Sequence, residues 1–260
     1  MSAFFSAFAH LVGQLADLLQ PLFHTGSAAA AIILFTACVR LAVHPLSRAS
    51  ARGQKARTRL APQIAELRQK HGKNPERMQK ALMELHAREK VSPLSGCLPS
   101  LAQMPAFFLM YHLFSQREIG GRPNELLSHS LFAAPLGDRW TDALSAAGGG
   151  VFGGAGAVYL ALFVIVAGVA TFNFRRTRIQ MAAAPTPALP EGPDGQPVPG
   201  MGAMMKVMPL MSFATLFTVA VVPLAAALYV VTSTTWSAAE RYFLYRDMPA
   251  AGAAAPVTAL

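Results

Sequence analysis

Apolar positions along the chain gather into blocks separated by charged or proline-rich segments, and the blocks have helical length and period. In the first, Phe4, Phe8, Leu11, Leu15, Leu18 and Leu22 recur at three- and four-residue steps, with His10, Gln14 and Asp17 on the opposite side. This spacing predicts an amphipathic helix over residues 1–26, lying in the outer membrane–water interface, with an extra spanning segment as the alternative. The next block, Ser27–Leu46, is 20 residues long and carries one full charge, Arg40. A bilayer core of about 30 Å takes about 20 helical residues, so this is a first span, stopped by Pro45. Residues 96–114 give a second span, loosened by Pro99 and Pro105, and residues 156–174 a third, ending against Arg175, Arg176 and Arg178. From Val207 to Ala239 there are 33 residues without a charge. One helix of that length would be about 50 Å long. Pro223 lies at the midpoint and divides the run into a fourth span, 207–221, and a fifth, 224–243.

The segments between the spans differ in character. Between Arg48 and Lys90 stand twelve Lys/Arg against four Glu. Leu60, Ile64 and Leu67 mark one helical stripe there, and Met78, Leu82 and Leu85 another. The stop-and-restart signal HGKNP (71–75) lies between them, so residues 47–93 read as a basic cytoplasmic helical hairpin. Residues 175–206 are a cytoplasmic loop whose stretch 182–203 is a Pro/Ala/Gly linker, and 244–260 is a short, nearly uncharged tail. The outer loop, 115–155, balances its charges. Collecting the basic segments on one side orients the chain with its amino terminus outside and its carboxyl terminus inside. No cleavable signal is expected, because no Lys or Arg precedes Arg40.

Composition agrees with that picture. The chain of 260 residues has a mean hydropathy of +0.37, only 13% charged residues and a net charge of +9. The fold class is therefore all-α: a polytopic membrane protein with five transmembrane helices, a cytoplasmic hairpin and an N-terminal interfacial helix. No glycine–aromatic signature accompanies the basic block, so direct DNA binding is not expected. Cys38 and Cys97 fall in apolar runs, the seven histidines lack ligand spacing, and no nucleotide-binding or hydrolytic motif is present. Neither a metal, a cofactor nor an enzymatic activity is expected.

Arg40 is the residue that needs explaining. An arginine near the middle of a membrane helix costs about 2.5–3.5 kcal/mol. It lies six residues before Leu46, about 9 Å of helix. Two readings stand: the guanidinium climbs to the inner interface, or a polar pocket surrounds it. The polar faces that could form such a pocket are spaced helically. Ser100, Gln103, Phe107 and Tyr111 share one face of the second span; Tyr229, Ser233, Trp236 and Glu240 share one face of the fifth; Asn173 stands near the inner end of the third. Each could instead bond a neighbouring helix or its own backbone. Methionines 201, 204, 205, 208 and 211 suit an adaptable apolar surface, or plain packing.

Four stretches in order carry a resemblance: TACVRLAVHPLSR (36–48), RQKHGKNPERMQKALMELHAREK (68–90), VSPLSGCLPSLAQMPAFFLMYHLF (91–114) and MKVMPLMSFATLF…PLAAALYVVTS (205–233). Together they resemble the YidC/Oxa/Alb family of membrane protein insertases. The resemblance implies that Arg40 stands in a water-filled groove open to the cytoplasm and to lipid. It further implies that the groove briefly holds the hydrophilic outer segment of a nascent protein while its apolar helix enters the bilayer, without ATP hydrolysis. Substrates with acidic or short outer tails are the implied partners, lodged against Arg40, Gln103, Asn173, Tyr229, Ser233 and Trp236. Membrane lipids are further partners, as are a Sec-type translocon, a ribosome or targeting factors reached through the hairpin 48–90. The implied location is the bacterial cytoplasmic membrane. Two departures stand out: Val230 and Thr234 replace a family Trp and Asn, and residues 244–260 are short and nearly uncharged, unlike the long basic tails with which some relatives hold ribosomes, so docking through the tail is not expected. From the residues alone, the rival reading is a small ion channel or transporter with Arg40 as an anion-binding residue.

Overall fold

The computed structural model describes residues 2–71, 74–89, 104, 108–109, 111–119, 121–145, 150–183 and 207–246. Most of them are helical. In chain order the elements are α1 (Ser2–Phe23), α2 (Ser27–His71), α3 (Pro75–Arg88), the strands β1 (Glu118–Ile119), β2 (Arg122–Pro123), β3 (Ser130–Leu131) and β4 (Ala134–Pro135), then α4 (Trp140–Ser145), α5 (Gly154–Ala183), α6 (Ala214–Val221) and α7 (Leu224–Tyr245). Two helical stretches, residues 7–71 and 154–181, contain a window long and apolar enough to cross a membrane. Residues 208–221 form a shorter apolar helical stretch.

The sequence places a stop at Pro45, but α2 runs on through Pro45 and Pro62 for 45 residues. A proline removes one backbone hydrogen bond and crowds the preceding turn. In so long a helix that loss is local, and the apolar first half joins the basic second half without a break. The helix α5 likewise continues past residue 174 to Ala183. The region read as the fourth span opens as a 3-10 helix, Met208–Phe213, before eight α-helical residues. Val222 is extended (φ −84°, ψ 157°), as the residue before a proline prefers, and α7 begins after Pro223.

Two compact units divide the chain. Unit one holds residues 1–43, 103–173 and 210–240. Its core joins Ala28, Ala31, Ile32 and Phe35 of α2 to Leu113 and Phe114, to Tyr159 and Val166 of α5, and to Leu224–Val231 of α7. The small side chains Ala225, Ala226 and Ala227, all 0% exposed, let neighbouring backbones come close. The helix α1 has three faces rather than two. Val12 and Ala16 are buried, and Phe8, Leu15 and Leu19 pack against the core. His10, Gln14 and Asp17 lie on a polar face, while Leu11, Leu18 and Leu22 form an exposed apolar ridge. Only part of the apolar stripe seen in the sequence thus serves the core.

The segment 116–139 of that unit is tightly built. Two antiparallel hairpins, β1–β2 and β3–β4, bracket a 3-10 turn, Glu125–Ser128. Asn124 is buried, and its amide donates to the carbonyls of Leu113 (2.8 Å) and Gln116 (3.0 Å), tying the loop to the helical residues 111–115.

Unit two holds residues 44–102, 174–209 and 241–260. In it Asn74 caps α3, its Oδ1 accepting from the Arg77 amide at 3.1 Å with Pro75 in the first turn. Leu60 and Leu85 are the buried members of the two apolar stripes. Arg176 donates to the Arg241 carbonyl (3.0 Å) and lies over the Tyr245 ring (5.2 Å), while Tyr245 donates to Gln54 Oε1 (3.2 Å).

Candidate functional site

The site is built within unit one where α2 meets α7. From Leu224 through Val231 every residue of α7 is buried; from Thr232 onward the helix carries hydroxyls and its burial becomes one-sided. Arg40, half-buried on α2, reaches this change in character. Its Nε donates to Ser233 Oγ at 3.1 Å, and its Nη2 donates to the same oxygen. Ser233 is 6% exposed. A hydrogen bond made by a charged group contributes about 1.5–3 kcal/mol, comparable to the penalty that Arg40 would meet in lipid.

The other predicted lining residues divide. Tyr229 is buried one turn before Ser233, its ring 6.3 Å from Phe114. Trp236 is half-buried, about one turn after Ser233 on the same face. Asn173 lies in the same unit and its Oδ1 is buried without a hydrogen-bond partner among the described residues. Gln103, Ser100 and Phe107 lie outside the described residues, as do Met201, Met204 and Met205. Met208 and Met211 are exposed. The structure thus joins Arg40 to Ser233 directly and leaves Asn173 with an unused acceptor.

Sequence reasoning missed the cap at the far end of α7. The Leu224 amide donates to the Asp138 carbonyl (2.8 Å) and the Ala225 amide to the Leu136 carbonyl (2.9 Å). The Tyr159 hydroxyl donates to the same Asp138 carbonyl at 2.6 Å. Leu136 is 0% exposed, and Trp140 packs edge-on against Phe163 at 5.3 Å. Backbone carbonyls do this capping, so no side-chain pattern could have signalled it. Thr36 was also missed: buried one turn before Arg40, it donates to the Ile32 carbonyl at 2.6 Å.

These observations define a helical protein with apolar segments of membrane-crossing length and one arginine held against a polar helix face. Among the described residues no cluster of His, Cys, Asp or Glu could hold a metal. The sequence pattern of a family described as "60Kd inner membrane protein" matches residues 19–251, and the chain belongs to that family, the YidC/Oxa group. Several relatives bear the name membrane protein insertase YidC. The protein of Marinomonas sp. (strain MWYL1) is 30% identical over 215 residues, 82% of this chain and 32% of the relative. That of Geobacter sulfurreducens is 37% identical over 108 residues, 38% of this chain and 20% of the relative. That of Clostridium perfringens is 42% identical over 84 residues, 32% of this chain and 35% of the relative. The matched stretches therefore span between 20% and 35% of these relatives' lengths.

Proposed function

We propose that the chain is a membrane protein insertase of the bacterial cytoplasmic membrane, with five spans, its amino terminus outside and its carboxyl terminus inside. It accepts the hydrophilic outer segment of a nascent protein in a groove lined by Arg40, Ser233, Asn173, Tyr229 and Trp236. The segment's adjoining apolar helix then enters lipid. The observation that carries this reading is Arg40 engaging Ser233 where α7 changes from apolar to hydroxyl-bearing.

The physical task is to reduce the barrier for a polar segment without opening a pore. An unpaired Asp or Glu in lipid costs up to about 3.5 kcal/mol. A cation about 4 Å away contributes about 4 kcal/mol at an effective dielectric of 20, so Arg40 offsets roughly one carboxylate. The incoming apolar helix supplies the driving force, at about 0.3–0.6 kcal/mol per Leu, Ile, Phe or Val. No nucleotide is needed. The cap formed by the Leu136 and Asp138 carbonyls and the Tyr159 hydroxyl supports closure on the outer side, and the unused acceptor of Asn173 suits a backbone N–H or water.

Reconstituted insertion of substrates whose outer tails differ only in charge tests the proposal. Arg40→Lys keeps insertion near the original level. Arg40→Glu lowers it selectively for acidic tails. Equal yields for all three proteins on every tail would overturn the role of the cation.

A further inference from the structure

Unit two brings the carboxyl-terminal ends of α5 and α7 together. Residues 154–174 of α5 carry no charge and, as a helix, are about 31 Å long, close to the thickness of a bilayer core. Arg175 and Arg176 follow directly, at the level where lipid phosphates lie. The helix α7 is likewise free of charge from Leu224 to Ala239. Past these runs, residues 174–183 and 240–246 hold five arginines against one carboxylate, that of Glu240.

One of these arginines is held in place. Arg176 donates from Nη1 to the Arg241 carbonyl at 3.0 Å, and its guanidinium lies over the Tyr245 ring at 5.2 Å. That ring is fixed in turn by the bond from its hydroxyl to Gln54 Oε1 of α2 (3.2 Å). A guanidinium has five N–H donors, so most of the Arg176 fork remains available. Among the described residues neither Arg176 nor Arg241 pairs with a carboxylate. Arg241 is exposed, and the positive charges of the two side chains repel each other. A phosphate between them relieves that repulsion and accepts from a preset fork, the geometry in which arginine binds phosphate best.

The apolar side chains beside these arginines select a lipid over a soluble anion. Tyr242 and Phe243 follow Arg241; they are 54% and 64% exposed, with their rings edge-on at 5.4 Å. Ile179, also exposed, stands one turn after Arg175 on α5. Rings and an aliphatic side chain next to arginines match the boundary between headgroups and acyl chains. A soluble phosphate would leave those side chains uncovered. We propose that the ends of α5 and α7 bind the headgroup phosphate of an anionic lipid, with Arg176 and Arg241 on the phosphate and Tyr242 and Phe243 against the chains below it. This inference rests on the chain lying in a membrane and not on the groove at Arg40.

Native mass spectrometry of the full chain in neutral detergent, titrated with phosphatidylglycerol and separately with phosphatidylcholine, tests it. Phosphatidylglycerol is retained in preference. Arg241→Gln keeps the backbone carbonyl that Arg176 uses, and lowers that preference about fivefold, the factor expected for one basic residue at a lipid surface. Arg176→Lys keeps the charge but loses the fork, and also lowers it. The double variant Arg77→Gln/Lys80→Gln removes two charges from α3 and leaves the preference unchanged. No preference between the two lipids, a preference that survives both Arg241→Gln and Arg176→Lys, or an equal loss in the α3 variant overturns the inference. Displacement of the lipid by millimolar glycerophosphate or by a short RNA would assign these arginines to a soluble anion and overturn it as well.

Discussion

Replacing Ser233 by alanine separates a wet groove from a dry polar contact. In the structure both Nε and Nη2 of Arg40 donate to the Ser233 hydroxyl, and Ser233 itself is buried. If the surroundings are dry, removing that oxygen takes away a charge-assisted hydrogen bond with no water to replace it and costs about 1.5–3 kcal/mol. If water fills the site, a water takes the place of Oγ at a cost of about 0–2 kcal/mol for its immobilisation, mostly toward the low end. Alanine also recovers about 0.5 kcal/mol of helix propensity. The proposed function requires the second case, so the net loss expected for Ser233→Ala is below about 1 kcal/mol. For a chain of this size each kcal/mol moves the melting temperature by about 2–4 °C. Differential scanning fluorimetry in nanodiscs should therefore show a fall of less than about 4 °C, with insertion largely retained. A fall of about 6 °C or more would mean that the arginine is sealed among helices and that the groove argument fails, whatever the insertion assay shows.

Two further substitutions probe the framework that holds the site. Asn124→Ala removes the amide donors that satisfy Leu113 and Gln116, and should lower stability by about 2–3 kcal/mol; faster proteolysis within residues 115–130 would report it, and unchanged cleavage would contradict it. Gly156→Ala would drive a methyl group into the carbonyl oxygens of Gly150 and Val151, so the start of α5 must shift. A melting temperature lowered by several degrees is expected, whereas an unchanged value would show that this turn yields freely.

The parts of the fold legible in the sequence are those where one residue type forces an outcome. Pro223 is such a case: a charge-free run too long for one crossing meets a proline, and the chain turns there. HGKNP is another, because Asn74 and Pro75 can cap a helix whatever surrounds them. Pro45 shows the limit of the same logic. A proline deletes one hydrogen bond but does not forbid continuation, and the flanking turns on both sides keep α2 whole. Spacing along α7 placed Ser233 on one face with Tyr229, Trp236 and Glu240, since a face is a property of period alone, but it did not say which of them Arg40 meets. The cap at Leu136 and Asp138 was invisible because it is made by backbone carbonyls, and so was the second role of α1, whose apolar stripe is shared between core and exposed ridge.

The hydroxyls after Val231 suggest how a polar lining can exist in apolar surroundings at small cost. Thr234 donates to the Val230 carbonyl at 2.8 Å, and Ser237 to the Ser233 carbonyl at 2.9 Å. Such bonds hide a hydroxyl against its own helix, so it does not stand unsatisfied when nothing polar is near. A rotation about one side-chain bond turns the same oxygen outward, and the helix loses only a supplementary bond. Ser233 differs, because its oxygen accepts from Arg40 across the unit rather than serving only its own backbone. On this account Ser233 gives α7 a fixed polar contact flanked by hydroxyls that can be offered or withdrawn. Under the proposed function, a groove lined in this way would meet many unrelated hydrophilic segments in turn, since it would provide hydrogen bonds on demand without holding any one segment tightly. A lining of permanently charged groups would bind its cargo too firmly to release it into lipid.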